Sequence, residues 1–118
     1  MELNHTCLMV SDMERSLAFY ARFGFEPRRY LGSGPGGSVF CGLPGDGDRL
    51  QLKLAEDVDP AVARFGHIAL HVEELDALLA QLAEHDVLPD QPPAPSGRRI
   101  CFVHDPDGYA VELIEEHG

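Results

Sequence analysis

Basic side chains are scarce in this chain: 9 Lys and Arg stand against 20 Asp and Glu in 118 residues, a formal net charge of -11 and a sequence pI near 4.7. Such a balance offers no electrostatic footprint for a phosphate backbone or an anionic membrane surface, so neither nucleic acid nor a membrane is expected as a partner. Long apolar runs are also missing, with nothing approaching the roughly 18 residues of a membrane span. The opening "MELNHTCLMVSDMERS" lacks the basic and apolar regions of a secretion signal, and a cytoplasmic setting is expected. Cysteine is sparse and odd in number. Cys7, Cys41 and Cys101 are far apart and form no CxxC, which excludes a disulfide framework and a thiolate metal site and leaves buried or half-buried thiols.

What is present suits a single domain of residues 1–118, with 44% hydrophobic residues. The chain repeats itself. "LNHTCLMVSDMERSLAFYARFGFEP" and "FGHIALHVEELDALLAQLAEHDVLP" share one plan: a strand with histidine near its start, an amphipathic helix, then a turn into extended chain. In "GHIALHV" the period of two sets His67, Ala69 and His71 on one face and Ile68, Leu70 and Val72 on the other. The first helix is expected to begin with a Ser11/Glu14 capping box, to bury Met13, Leu17, Tyr20 and Ala21, and to stop at Gly24. The second buries Leu75, Leu78, Leu79 and Leu82.

"EPRRYL", "GSVFCGL" and "RLQLKLA" read as three further strands of the first half. A weak "DVLP", then "RRICFVH" and "YAVELIEE", are their counterparts in the second, with a "DPDG" turn between the last two. The expected fold is therefore α+β, two β-α-β-β-β modules of about residues 1–57 and 65–118 joined by "EDVDPAVAR". Neither half alone would bury an adequate core.

Polar residues obey the same repeat. His67 follows His5 by 62 positions, and Glu112 follows Gln51 by 61, each pair in equivalent strands and on the face away from the helices. Two imidazoles, a carboxamide and a carboxylate suit one divalent transition metal per site, Ni, Co or Zn being favoured and Mn or Fe compatible. Two neutral His, neutral Gln51 and anionic Glu112 leave about one positive charge on a divalent ion, suited to holding two substrate oxygens.

"LNHTCLMVSDMERSLAFYARFGF", "FGHIALHV" and "DPDGYAVELIEE" resemble the vicinal oxygen chelate superfamily, and most of all the glyoxalase I (lactoylglutathione lyase) family, over nearly the whole chain. The resemblance implies paired βαβββ modules that form a curved open sheet around a metal, often completed across a homodimer. It implies His5, Gln51, His67 and Glu112 as metal ligands. Glu112 would also be the catalytic base that moves a proton through a metal-bound enediolate of a 2-oxoaldehyde hemithioacetal, a small-molecule substrate and possibly a glutathione adduct. Glyoxalase I enzymes usually carry Arg and Asn four residues after the first two ligands to serve glutathione; here Met9 and Ala55 occupy those positions. Gln51 is similar instead to the His/Gln/His/Glu set of methylmalonyl-CoA epimerase. Other readings within the superfamily are a non-haem iron extradiol dioxygenase using His5, His67 and Glu112, a fosfomycin-modifying transferase, and a metal-free drug-binding resistance protein.

Only Arg28-Arg29 and Arg98-Arg99 offer paired cations for an anionic tail, solvated strand edges being the alternative. His71 reads as a neighbour of the site or a rim residue, His104 as a lead into the turn, His85 as a partner of a helix end, His117 as part of a frayed tail and Tyr109 as packing.

Overall fold

A computed structural model describes residues 1–63 and 66–115 and divides into two compact units, Met1–Asp59 and Pro60–Gly118. The first contains β1 (Thr6–Val10), α1 (Met13–Ala21), β2 (Glu26–Leu31), β3 (Ser38–Gly42) and β4 (Leu50–Leu54). Its sheet runs β1-β4-β3-β2, with β1 parallel to β4 and the other pairs antiparallel. Alternation places Leu8, Val10, Leu50 and Leu52 in the core, where α1 contributes Ser16, Phe19 and Tyr20. The buried stripe of α1 thus differs from the expected one. Met13 and Leu17 are half-buried and Ala21 is exposed, because the aromatic pair Phe19 and Tyr20, T-shaped with centroids 5.1 Å apart, supplies the largest apolar area and sets the helix rotation.

The helix start is also one residue later than the Ser11/Glu14 box. Asp12 is the N-cap, its carboxylate accepting the Arg15 N–H at 3.0 Å, while Ser11 Oγ accepts from the Arg15 guanidinium. At the other end Gly24, with φ +101°, takes the left-handed conformation that lets the Phe25 N–H return to the Tyr20 carbonyl.

The second unit opens with the short α2 (Pro60–Ala63) inside the connector, then β5 (His67–His71), α3 (Leu75–Ala83), β6 (Arg99–His104) and β7 (Ala110–Glu115). Its sheet is β5-β7-β6, β5 parallel and β6 antiparallel to β7. Leu75 and Leu82 are buried and Leu78 and Leu79 half-buried, as their spacing predicts. Asp86, φ +61°, occupies the place that Gly24 holds in the first unit, and the Val87 N–H returns to the Leu82 carbonyl in the same way.

The weak strand at "DVLP" does not form. Pro89, Pro92, Pro93 and Pro95 remove N–H donors from that stretch, and a main-chain bond from Asp90 N–H to the Phe102 carbonyl, 2.9 Å, helps to tie it beside β6. The second sheet therefore has three strands where the first has four. Glu74, at the N-cap of α3, makes no side-chain cap; the Leu75 N–H donates instead to Glu115 Oε2 at 2.7 Å, drawing a buried carboxylate to the positive end of the helix. The "DPDG" turn is held by Asp105 Oδ1, which accepts from the Asp107 and Tyr109 N–H groups, both at 2.9 Å. A side chain at Gly66 would meet the Tyr109 ring at 3.2 Å, consistent with a packing role for Tyr109. Among the described residues no helix is long and apolar enough to cross a membrane. Arg64 of the connector, Glu116 of the expected last strand and His117 lie outside the described residues.

Candidate functional site

In the first unit His5 stands immediately before β1 and Gln51 lies on β4, where it pairs with Cys7. Phe40 of β3 is the antiparallel partner of Gln51 and meets the His5 ring edge-on, centroids 5.1 Å apart, so one aromatic ring supports both polar groups. Each is also oriented from behind. The His5 Nδ1–H donates to Asn4 Oδ1 at 2.6 Å, leaving the Nε2 lone pair for a metal. Gln51 Nε2 donates to the buried Ser38 hydroxyl at 2.8 Å, which leaves the amide oxygen as the available donor atom.

The second unit repeats this arrangement. His67 begins β5 and Glu112 lies on β7, paired with Ala69 as Gln51 is with Cys7. Phe102 is the antiparallel partner of Glu112, and its ring faces His67 at 6.5 Å in the same edge-on manner. His67 Nε2 and Glu112 Oε1 are 3.7 Å apart. That gap is too long for a hydrogen bond, yet two donors each about 2 Å from one ion lie at most about 4 Å from each other. The second unit thus brings His67 and Glu112 together, whereas in the first unit His5 and Gln51 share Phe40 as a neighbour. No group of three or more His, Cys, Asp and Glu gathers to hold a metal among the described residues.

Phe40 and Phe102 were not among the expected site residues. They are 62 positions apart, the same interval as the two histidines, and that interval was their one signal in the sequence.

The remaining candidates separate clearly. Arg99 is consumed by structure: it donates to Glu115 Oε1 at 3.0 Å, to Asp76 Oδ1 at 2.7 Å and to the Ala94 carbonyl at 2.6 Å. Arg28 is consumed likewise by the Leu43 carbonyl at 2.8 Å and by Asp48 at 3.2 Å. Arg29 behaves differently, because a register shift between Pro27 and Arg29 re-aims the chain and sets its guanidinium 4.3 Å over the Phe40 ring. His104 donates from Nε2 to Asp90 Oδ2 at 2.8 Å, and this hydrogen bond raises its pKa above the ordinary value, helped by the Gly108 carbonyl and opposed by partial burial. It fastens the proline-rich stretch rather than leading only into the turn. His71 pairs with Ile114 at the end of β5 and is exposed.

All three cysteines are free. Burial pushes the Cys41 thiol up to about 11, reinforced by Asp48 against the opposing charge of Arg28. Cys101 is raised by burial as well. Cys7 differs from both in being exposed, and Lys53 partly offsets the burial that raises it.

Residues 2–113 match the family model described as Glyoxalase/Bleomycin resistance protein/Dioxygenase superfamily. The chain is 32% identical to a lactoylglutathione lyase of Escherichia coli, covering 98% of this chain and 93% of that protein. It is 33% identical to the lactoylglutathione lyase of Salmonella typhimurium over the same shares. Among solved structures it is similar to the trypanothione-dependent glyoxalase I of Leishmania major, with a TM-score of 0.81, 32% identity, and 98% and 87% of the two chains covered. With the repeated His/Phe/Gln and His/Phe/Glu arrangements, these likenesses identify the chain as a member of the glyoxalase/bleomycin resistance/dioxygenase superfamily and an enzyme of the lactoylglutathione lyase type, acting on a small molecule.

Proposed function

We propose that this enzyme is a divalent-metal-dependent isomerase that converts the hemithioacetal of a 2-oxoaldehyde into a 2-hydroxy thioester. His5, Gln51, His67 and Glu112 are the ligand set. The fit rests on donor chemistry: Nε2 of His5 and the oxygen of Gln51 are left available by bonds to Asn4 and Ser38, and His67 and Glu112 stand at a separation that one ion spans. The ion, Ni, Co or Zn, supplies Lewis-acid stabilisation of negative charge developing on adjacent substrate oxygens.

The proton itself belongs to Glu112. Its carboxylate takes the C–H proton from the carbon that bears sulfur and returns it to the neighbouring carbon, while the hydroxyl proton passes from the oxygen of the first carbon to the oxygen of the second, so the reaction is a net isomerisation that needs no redox partner. Phe40 and Phe102 form apolar floors beside the polar groups and keep water from the reacting carbons. Because each module offers two donors, a complete site needs both kinds of half-site, and we assign the working species as a cytoplasmic homodimer. Three free thiols agree with a reducing compartment.

The reading rests on His67 and Glu112, which approach to 3.7 Å, and His5 and Gln51 stand at the equivalent places of the first unit, just before β1 and on β4. Calorimetric titration of stripped protein with Zn or Ni is the test. One ion bound per four-ligand set, with His5→Ala and His67→Ala each weakening it at least about 100-fold, is the expected outcome. Undiminished binding in either variant would remove that residue from the ligand set.

A further inference from the structure

On the helix side of the first sheet, between α1 and the β2–β3 hairpin, lies an open cleft of about 310 Å³. Met13, Leu17, Tyr30, Val39 and Leu54 form its apolar walls, and Glu14 is the one charged residue that lines it. Tyr30 pairs with Val39 and Val39 with Leu52, and Leu52 alternates with Gln51 along β4, so the cleft opens on the face opposite to Gln51. Its glycine-rich rim is fastened to β4: the Gly36 N–H donates to the Leu54 carbonyl and the Leu54 N–H to that of Gly37, both at 2.8 Å.

The second unit fills the equivalent space with one of its own side chains. The interval of 62 that relates the two histidines also relates Met13 to Leu75, Glu14 to Asp76 and Gly37 to Arg99; the interval of 61 that relates Gln51 to Glu112 relates Leu54 to Glu115. Main-chain pairing agrees, since Arg99 is the strand partner of Glu115 as Gly37 is bonded to Leu54. The buried Arg99 guanidinium donates to Asp76 Oδ1, in the first turn of α3, at 2.7 Å and to Glu115 Oε1 at 3.0 Å. In the first unit Gly37 supplies no such side chain, yet the carboxylate of Glu14 is still present in the first turn of α1. It has no hydrogen-bond or ion-pair partner among the described residues, and the positions three and four residues away carry Val10, Ser11, Leu17 and Ala18, none of them a cation.

We infer that this cleft binds a small organic cation, a guanidinium on a short apolar group, which takes at Glu14 the place that Arg99 takes at Asp76. Leu54, where the second unit has Glu115, leaves one carboxylate for one positive charge and makes the remaining wall apolar. A planar guanidinium can bond the Glu14 carboxylate through two N–H groups, and the Tyr30 ring, 65% exposed, offers an aromatic surface to the cation or its substituent. An anion would meet Glu14 and no basic side chain, in a chain of net charge -11. A neutral molecule would leave the carboxylate unused. The volume stands at the lower end of the roughly 300–1,000 Å³ of small-molecule sites.

Titration of the isotope-labelled, Zn-loaded full chain with phenethylguanidine, followed by NMR through the backbone amides, tests this without requiring turnover. Saturable shifts at Glu14, Leu17, Gly34 and Leu54, with a Kd of about 1 mM or below, are the expected result. Phenethylurea, a neutral compound of the same shape, should bind at least about tenfold more weakly. Glu14→Gln should weaken phenethylguanidine binding by a similar factor, and Glu14→Asp should retain part of the affinity. Glu14 is exposed, so the variants should fold, and their amide spectra check this. Equal binding of the urea and the guanidine, undiminished binding by Glu14→Gln, shifts centred on Glu112 instead of the cleft, or no saturable shift at all would overturn the assignment.

Discussion

The His67 imidazole and the Glu112 carboxylate face each other from adjacent parallel strands, Nε2 to Oε1 3.7 Å, a separation that leaves room for an ion between them. Glu112 then has two roles that substitution separates. Glu112→Gln keeps an oxygen donor and removes the base, so turnover should fall by about 10³-fold while metal binding persists. Steady-state kinetics on metal-loaded variant and wild type measure this. Retained turnover would assign the proton transfer to another group.

Ser38 is predicted to act on the metal through Gln51. With the hydroxyl gone the amide loses the bond that fixes which atom it presents, and Ser38→Ala should weaken metal binding by about tenfold. Ser38→Thr retains a hydroxyl and should recover most of the loss, a result that metal titration of both variants would reveal.

The His104–Asp90 contact gives stability a pH dependence of definite sign. Its hydrogen bonds raise the pKa of His104 above the unfolded value of about 6.5, so the stabilisation is complete below that pH and is lost as pH rises through the folded-state value. Asp90 and Asp105 are the charged groups that favour the protonated ring. The melting temperature of wild type should exceed that of His104→Gln by most below about pH 6, and the difference should shrink on the alkaline side. Thermal melts of the two proteins across this range provide the comparison.

Thiol reactivity separates the three cysteines. Cys7 is exposed, whereas Cys41 is buried with its thiol pushed up to about 11, and Cys101 is buried too. An aromatic disulfide reagent at pH 8 should therefore label Cys7 alone in the folded protein, the other two reacting after denaturation. Since Cys7 is the strand partner of Gln51, added Zn should slow that labelling. Mass spectrometry of the labelled sites decides the order.

The residues that carried most meaning in the sequence were those whose chemistry is conspicuous and whose spacing repeats. His5 with His67 and Gln51 with Glu112 are polar intrusions at the edges or within apolar strands, and a common interval of 62 or 61 positions relates them. Phe40 and Phe102 obey the same interval but look like ordinary core residues, since a strand aromatic is no intrusion. Cap residues depend on backbone angles that composition does not express, which is why Asp12 and not Ser11 caps α1. Arg99 illustrates tertiary context most plainly: its partners Asp76, Ala94 and Glu115 come from three separate stretches of chain, so nothing local distinguishes it from the exposed Arg98. The missing fourth strand of the second unit has a local cause, but four prolines near a weak apolar run were needed to outweigh it.

The central claim is metal-dependent isomerisation, and the direct measurement is turnover of the methylglyoxal–glutathione hemithioacetal by protein stripped of metal and then reloaded separately with Ni, Co, Zn and Mn. Stripped protein should be inactive, at least one of Ni, Co and Zn should restore turnover, and His67→Ala and Glu112→Gln should each abolish the restored activity. Full activity in stripped protein, or recovered activity that survives both substitutions, would contradict the claim.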